Sequence, residues 1–298
     1  LAFVFAVLFA FTLASIVPAV VSRPKEVAEV TSAEGGKRNI YFRLFDEYSR
    51  SRYMKKGFGY DNSATTDALE AMGFSVSYSS KNEYNSTSTV MTNFFNLDYI
   101  VTPEDVTADP VKVKELRQNN PTFSLLRENG YNLVFVGGGY FYGYQPVEGT
   151  GSTQSSTMMG ETFQDILYAR TPLYPFTIRN FSSEAQSHLV NIDYIKNTAT
   201  FQTGSNFILA HWDLPHSPYL FNRDGSIKSA IDSFKNPKEA YLDQFIYTSV
   251  VMLDMAETIT IKDPEAMVII LSDHSFRGSD LLDNITTEDQ CDIFAAVY

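Results

Sequence analysis

MVIILSDHS (267–275) is the stretch on which the fold turns: five apolar residues of strand length lead through one serine to an aspartate and a histidine. A continuous apolar run of this length, rich in β-branched residues, reads as a strand buried on both faces. Just upstream, residues 237–259 carry Leu242, Phe245, Ile246, Val250, Leu253 and Met255 at helical spacing and read as one long helix. A helix feeding a buried strand is the unit from which parallel sheets are built. The unit recurs toward the N-terminus. NFILAH (206–211) reads as a strand ending in histidine. YNLVFVGG (131–138) is another, entered from a short helix over PTFSLLRENG (121–130) that Gly130 stops. NIYFRLF (39–45) is the first, ending at Asp46-Glu47, with a helix around 63–72 and Gly73 beyond it. Four such strands alternating with helices predict an α/β domain, its largely parallel sheet covered by helices on both faces.

In open α/β sheets, ligands bind outside the carboxyl ends of the strands. Three of the four strands place ionisable groups there: Asp46-Glu47, His211 with His216 shortly after, and Asp273-His274. Carboxylate oxygens and neutral imidazole are ligands for zinc, manganese or magnesium-type ions. Each motif alone has an ordinary explanation, since an aspartate after a strand often caps a turn and a lone histidine is often structural. Three together, in a chain with four histidines, point to one divalent metal ion. Glu47 remains an alternative to Asp46 or a companion. His211 reads either as structural or as a neighbour of the substrate, and His188 as a surface residue.

Composition narrows the field. A hydrophobic share of 44% with 19% charged residues excludes general disorder. A formal net charge of −12 speaks against nucleic acid, whose phosphates need Lys and Arg. An anionic substrate must then meet local positive charge, and a bound metal ion is the candidate. Cys291 is the only cysteine, which excludes an intrachain disulfide and a cysteine zinc cluster. Residues 1–22, LAFVFAVLFAFTLASIVPAVVS, carry no charge. About 20 apolar residues at about 1.5 Å each span a bilayer core of about 30 Å, so a transmembrane helix is expected, with a cleavable signal peptide as the competing reading. Residues 23–38 read as a polar linker and 39–298 as the catalytic domain, with both ends of the chain looking cut from a longer protein. The Tyr-, Gly- and Ser-rich region 137–160 reads as a surface excursion or a loop on the substrate side.

NIYFRLFDEYSR (39–50) with KGFGYDNSATTDALEAMGF (56–74) resembles the start of the catalytic domain of sulfatase-like hydrolases and transferases. These belong to the alkaline phosphatase superfamily and include the lipoteichoic acid synthase type. NEYNSTSTVMTNFFNLDYI (82–100) resembles their nucleophile segment, FILAHWDLPHSPYLFNRDG (207–225) their His-containing segment, VIILSDHS (268–275) their metal motif and DQCDIFAAVY (289–298) the following strand. The resemblance implies an alkaline phosphatase-like fold with Asp46, Thr87, Asp273 and His274 around one divalent ion (Mn, Mg or Zn). Thr87 would also be the nucleophile. His216 would contact the substrate's anionic head group, with His211 beside it. Thr87 stands at the start of an apolar helical stretch (Val90, Met91, Phe94, Phe95), where unpaired N–H groups favour an anion; Ser86, Ser88 and Thr89 are rival hydroxyls. The Cys-x-Pro-Ser-Arg element of aldehyde-dependent sulfatases is missing, which ranks phosphate esters ahead of sulfate esters, and Ser275 stands where the pattern has glycine. The implied partner is a phospholipid head group or an envelope glycan at the outer membrane face, as in phosphoglycerol or phosphoethanolamine transfer, by a hydrolase or a transferase. The rival is an inactive binding or scaffold domain of the same fold.

Overall fold

The computed structural model describes residues 38–148, 150, 181–197 and 205–298. The apolar segment 1–22, nearly all of the linker and the far part of the 137–160 region lie outside the described residues. Among those described, no helix is long and apolar enough to cross a membrane.

A six-stranded sheet organises the chain. The strands are β1 (Ile40–Phe45), β2 (Ser75–Ser77), β3 (Asn132–Gly137), β4 (Asn206–Trp212), β5 (Met267–Leu271) and β6 (Ala295–Val297), in the spatial order β2-β6-β5-β1-β4-β3. The four apolar strands read from the sequence form its parallel part, with β1 between β4 and β5 and β3 at the edge outside β4. β6 runs antiparallel to β5, and β2 antiparallel to β6. These two are three-residue strands.

The alternation of side chains along β1 splits the core in two. Tyr41 and Phe45 point to the layer that holds Tyr241, Phe245 and Met252 of the long helix, while Phe42 and Leu44 pack with Val90, Met91, Phe95 and Phe123. Full burial of one such side chain contributes about 1.5–3 kcal/mol. Both faces of the sheet are therefore covered, which is why its parallel strands are predominantly apolar, with Arg43 buried in β1 as the exception that donates to the Ile208 carbonyl at 3.2 Å. The second layer contains α3 (Thr87–Asn96) and α6 (Pro121–Glu128), while α1 (Ser51–Phe58), α2 (Ser63–Ala71), α4 (Pro103–Ala108) and α5 (Pro110–Gln118) complete the N-terminal part.

After β3 come α7 (Phe181–Asn197), α8 (Ala230–Lys235), α9 (Pro237–Lys262) and α10 (Thr287–Gln290). Two expectations are corrected in this half. Val250 was placed on the inner face of α9 but is exposed, while Tyr241, Phe245, Thr248, Met252, Met255 and Ile259 are buried. The inner face carries Thr248 and Ser249 because their hydroxyls find carbonyls one turn back, at 2.7 and 3.0 Å. Apolar spacing alone could not see that. His188, expected at the surface, is buried on α7, with its ring 6.3 Å from that of Trp212. Burial pushes its pKa down to about 3, so the ring is neutral.

Candidate metal centre and active site

The register brings the parallel strands to a common edge. Leu44 pairs with His211 on one side and with Leu271 on the other, so the residues after each strand emerge together. Asp46 follows β1, His211 and Asp213 bracket the end of β4, and Asp273-His274 follow β5. Thr87 comes from the first turn of α3. All six are buried.

Thr87 Oγ1 lies 3.4 Å from Asp46 Oδ2 and 3.3 Å from His274 Nε2. His274 Nε2 is 3.3 Å from Asp273 Oδ2 and 3.6 Å from Asp46 Oδ1. His211 Nε2 lies 3.5 Å from Asp46 Oδ2. The four residues singled out in the sequence thus meet at one point, and His211 stands beside it. Of the rival hydroxyls, Ser88 accepts a hydrogen bond from Arg117 at 2.8 Å, and Thr89 Oγ1 is buried without a partner. Ser86 precedes the helix and its side chain makes no capping hydrogen bond.

Asp46 and Glu47 also separate. Glu47 has a positive φ of 64°, an uncommon conformation for a residue with a side chain. That turn aims its N–H at Asp273 Oδ1 (3.0 Å) and lets its Oε1 accept from the Arg277 N–H (2.8 Å). Only Asp46 points its carboxylate into the cluster. Asp273 Oδ1 also accepts from the His274 N–H at 2.9 Å. One oxygen of Asp273 therefore fixes the backbone, while Oδ2 is buried with no hydrogen bond, as is Asp46 Oδ1. His274 Nδ1 lies 2.9 Å from Ser275 O; a carbonyl can only accept, so Nδ1 carries the proton and Nε2 offers its lone pair.

This donor set fits a divalent cation. Buried carboxylate oxygens without donors, facing an imidazole lone pair, are costly unless a positive charge fills the space. Among the described residues two overlapping groups could each share one ion, Asp46 with Asp273 and His274, and Asp46 with His211 and Asp213, their ligand atoms within 4.8 Å of one another. Asp213 was missed in the sequence. The signal was there, because residues two apart on an extended chain share a side. Tyr142, also missed, places its hydroxyl 3.1 Å from His211 Nδ1. It follows β3 in a short 3₁₀ turn, Gly138–Tyr142, and is fully buried, so the start of the 137–160 region is packed under the site and is not a surface excursion.

Electrostatics follow from this packing. Burial by itself would raise the Asp46 pKa, but the rings of His216, His211 and His274, whenever they are protonated, pull it well below the usual carboxylate range. Burial lowers that of His211, and Asp46 outweighs it, leaving the ring above its ordinary value. His216 is half-buried at the rim and sits under opposing influences: burial and Arg277 lower its pKa, while Asp46 and Glu47 raise it beyond them. Its 2.7 Å contact with Arg277 Nη2 requires an unprotonated Nε2, so this geometry is that of the neutral ring. The loop bearing His216 is held by Gln244, another residue that sequence reasoning missed. Its amide donates to the carbonyls of Pro215, His216 and Pro218 and accepts from the N–H groups of Leu220 and Phe221.

With this geometry established, solved structures supply the comparison. The zinc complex of the C-terminal periplasmic domain of EcEptC from Escherichia coli superposes with a TM-score of 0.53 over 93% of this chain and 77% of that one, at 11% identity. The chain has the alkaline phosphatase-type fold. The same fold appears in the integral membrane lipooligosaccharide phosphoethanolamine transferase A from Neisseria meningitidis (TM-score 0.51, 14% identity), where the match covers 98% of this chain and 54% of that one. A candidate sulfatase, yidJ, from Bacteroides fragilis matches with a TM-score of 0.53 at 14% identity, over 90% of this chain and 70% of that one. No family model matches the chain, and no curated protein matches it in sequence.

Proposed function

We propose that this domain is a metal-dependent transferase or hydrolase of phosphate esters, with Thr87 as nucleophile and Asp46, Thr87, Asp273 and His274 as ligands of one divalent ion. The observation that carries this reading is the approach of Thr87 Oγ1 to Asp46 and His274 beside two buried carboxylate oxygens that lack donors. A bound ion supplies positive charge that favours the alkoxide form of a hydroxyl and offsets charge growing on phosphoryl oxygens. The rest belongs to the chain. Thr87 opens α3, where first-turn N–H groups and the helix dipole favour an anionic phosphoryl group. Asp46 Oδ2 is the acceptor that the Thr87 hydroxyl faces. Attack forms a bond from Oγ1 to phosphorus as the bond to the leaving oxygen breaks. The resulting threonine ester is then released by water, for a hydrolase, or by an acceptor hydroxyl, for a transferase.

The expected substrate is a phospholipid head group or an envelope glycan, handled outside the cytoplasm by a domain anchored through residues 1–22. Two similar proteins support this placement: one is described as a periplasmic domain and one as an integral membrane phosphoethanolamine transferase. Sulfate esters rank second, because Cys291 lies between Glu83 O and Thr287 O instead of at the helix start where Thr87 stands. An inactive scaffold of the same fold is disfavoured by the cluster itself, since an uncompensated group of buried acids destabilises a fold that does not use it. The test is turnover of a chromogenic phosphodiester by the purified chain with added Mn, Mg or Zn. Turnover that persists in excess chelator defeats the metal reading, and no turnover with any of the three ions favours the scaffold.

A further inference from the structure

Arg277 is three residues beyond His274, and its backbone is pinned on both sides. Its N–H donates to Glu47 Oε1 at 2.8 Å, and its carbonyl accepts from Gln290 Nε2 at 3.0 Å. The side chain reaches the His216 loop, with Nη2 2.7 Å from His216 Nε2 and Nε 3.7 Å from Glu47 Oε1. The contact with His216 has a consequence for that residue. Its Nδ1 donates to Ser217 O at 2.7 Å, and its Nε2 accepts a hydrogen bond from the guanidinium N–H, so both ring nitrogens are engaged in this geometry. The group at the rim with donors to spare is Arg277: a guanidinium has five N–H groups, and this side chain is 42% exposed.

We propose that Arg277 makes the site selective for substrates that carry an anionic group beyond the reacting phosphate, and against cationic head groups such as an ammonium. The inference rests on the proposed phosphate-ester chemistry and deepens it by naming the substrate class. A guanidinium at this rim, in contact with His216 and beside Glu47, which follows Asp46 in the chain, repels an ammonium and pairs with phosphate or carboxylate through charge-assisted hydrogen bonds. Glu47 offsets part of that charge without closing a hydrogen bond to Nε, its oxygen lying at 3.7 Å. The expected discrimination is therefore about tenfold between opposite head-group charges and not many orders of magnitude.

The experiment compares kcat/KM for three p-nitrophenyl phosphodiesters whose second ester is choline, glycerol or glycerol phosphate, using the full chain with metal added. The wild type should prefer the glycerol phosphate ester to the choline ester by about tenfold, with glycerol between them. Arg277→Gln should flatten that ratio, Arg277→Glu should invert it, and Arg277→Lys should keep its direction. If Arg277 only ties the His216 loop to Glu47, Arg277→Gln will slow all three esters alike and leave the ratio unchanged, which overturns the proposal. A second readout stands apart from turnover: calorimetric binding of glycerol bisphosphate, with its second anionic group, and of choline phosphate to the Thr87→Ala variant with metal added. Loss of selectivity there in Arg277→Gln supports the proposal even if no ester is cleaved, an outcome that would count against the catalytic reading alone. Equal binding of the two ligands by protein with Arg277 intact overturns the inference whatever the turnover.

Discussion

Asp273→Asn separates the proposed metal role of Asp273 from its structural one, because its two oxygens face different partners. Oδ1 accepts from the N–H groups of Glu47 and His274, and an asparagine carbonyl can keep both bonds. Oδ2 has no hydrogen bond and faces His274 Nε2 at 3.3 Å; an amide nitrogen there donates to that lone pair and leaves a neutral, satisfied pair. The metal-free variant should therefore melt within a few degrees of the wild type. Its response to metal should differ. A ligand that binds only the folded state at 100 times its Kd stabilises by about 2.7 kcal/mol, which for a domain of this size is a Tm increase of about 5–10 °C. Replacing a carboxylate ligand should cost at least the roughly 10–100-fold that losing an outer-shell partner costs. The same metal concentration then stabilises the variant by about 0.4–1.4 kcal/mol, half the wild-type shift or less. Differential scanning fluorimetry across a zinc or manganese titration reads this directly. An undiminished shift in Asp273→Asn refutes the assignment, and a collapse of the metal-free Tm refutes the division of labour between the two oxygens.

Thr87→Ala should reduce phosphodiester turnover by several orders of magnitude and Thr87→Ser should retain part of it, whereas Cys291→Ser should turn over like the wild type; steady-state kinetics on the three variants decides. Gln244→Met keeps the volume but leaves the His216 loop without its amide, so denaturant titration should show a loss of about 2–4 kcal/mol, and an unchanged midpoint would mean that the loop holds itself. His188 sets part of the pH dependence. Its folded pKa of about 3 lies below the unfolded value of 6.5, so in that window only the unfolded chain takes up the proton. Its contribution is intact above about pH 6.5 and is lost as pH falls toward 3, amounting to about 2 kcal/mol by pH 5. His188→Leu should flatten the stability profile between pH 7 and 5 relative to the wild type, and an identical slope would put the acid sensitivity elsewhere.

The sequence by itself determined the parallel part of the sheet. NIYFRLF, YNLVFVGG, NFILAH and MVIILS are predominantly apolar because they run through the interior, a condition that local composition records even with Arg43 buried in the first of them. It also pointed to the edge where the candidate site lies, since ligands gather at the carboxyl ends of such strands and Asp46, His211 and Asp273-His274 end or follow them. Thr87 was legible only through the resemblance, because one hydroxyl in the run Ser86–Thr89 looks like another until α3 is set against β1. Tertiary structure alone decided between Asp46 and Glu47: a positive φ at Glu47 turns one carboxylate into the cluster and the other toward Arg277. It also brought in Asp213, Tyr142, Gln244 and Arg277, and carried His188 from its expected surface position to the interior. The reason is range. Burial and alternation act on neighbours along the chain and leave a pattern there. A contact such as that of Arg277 with His216 joins residues 61 positions apart, and its energy depends on a geometry that no local pattern encodes.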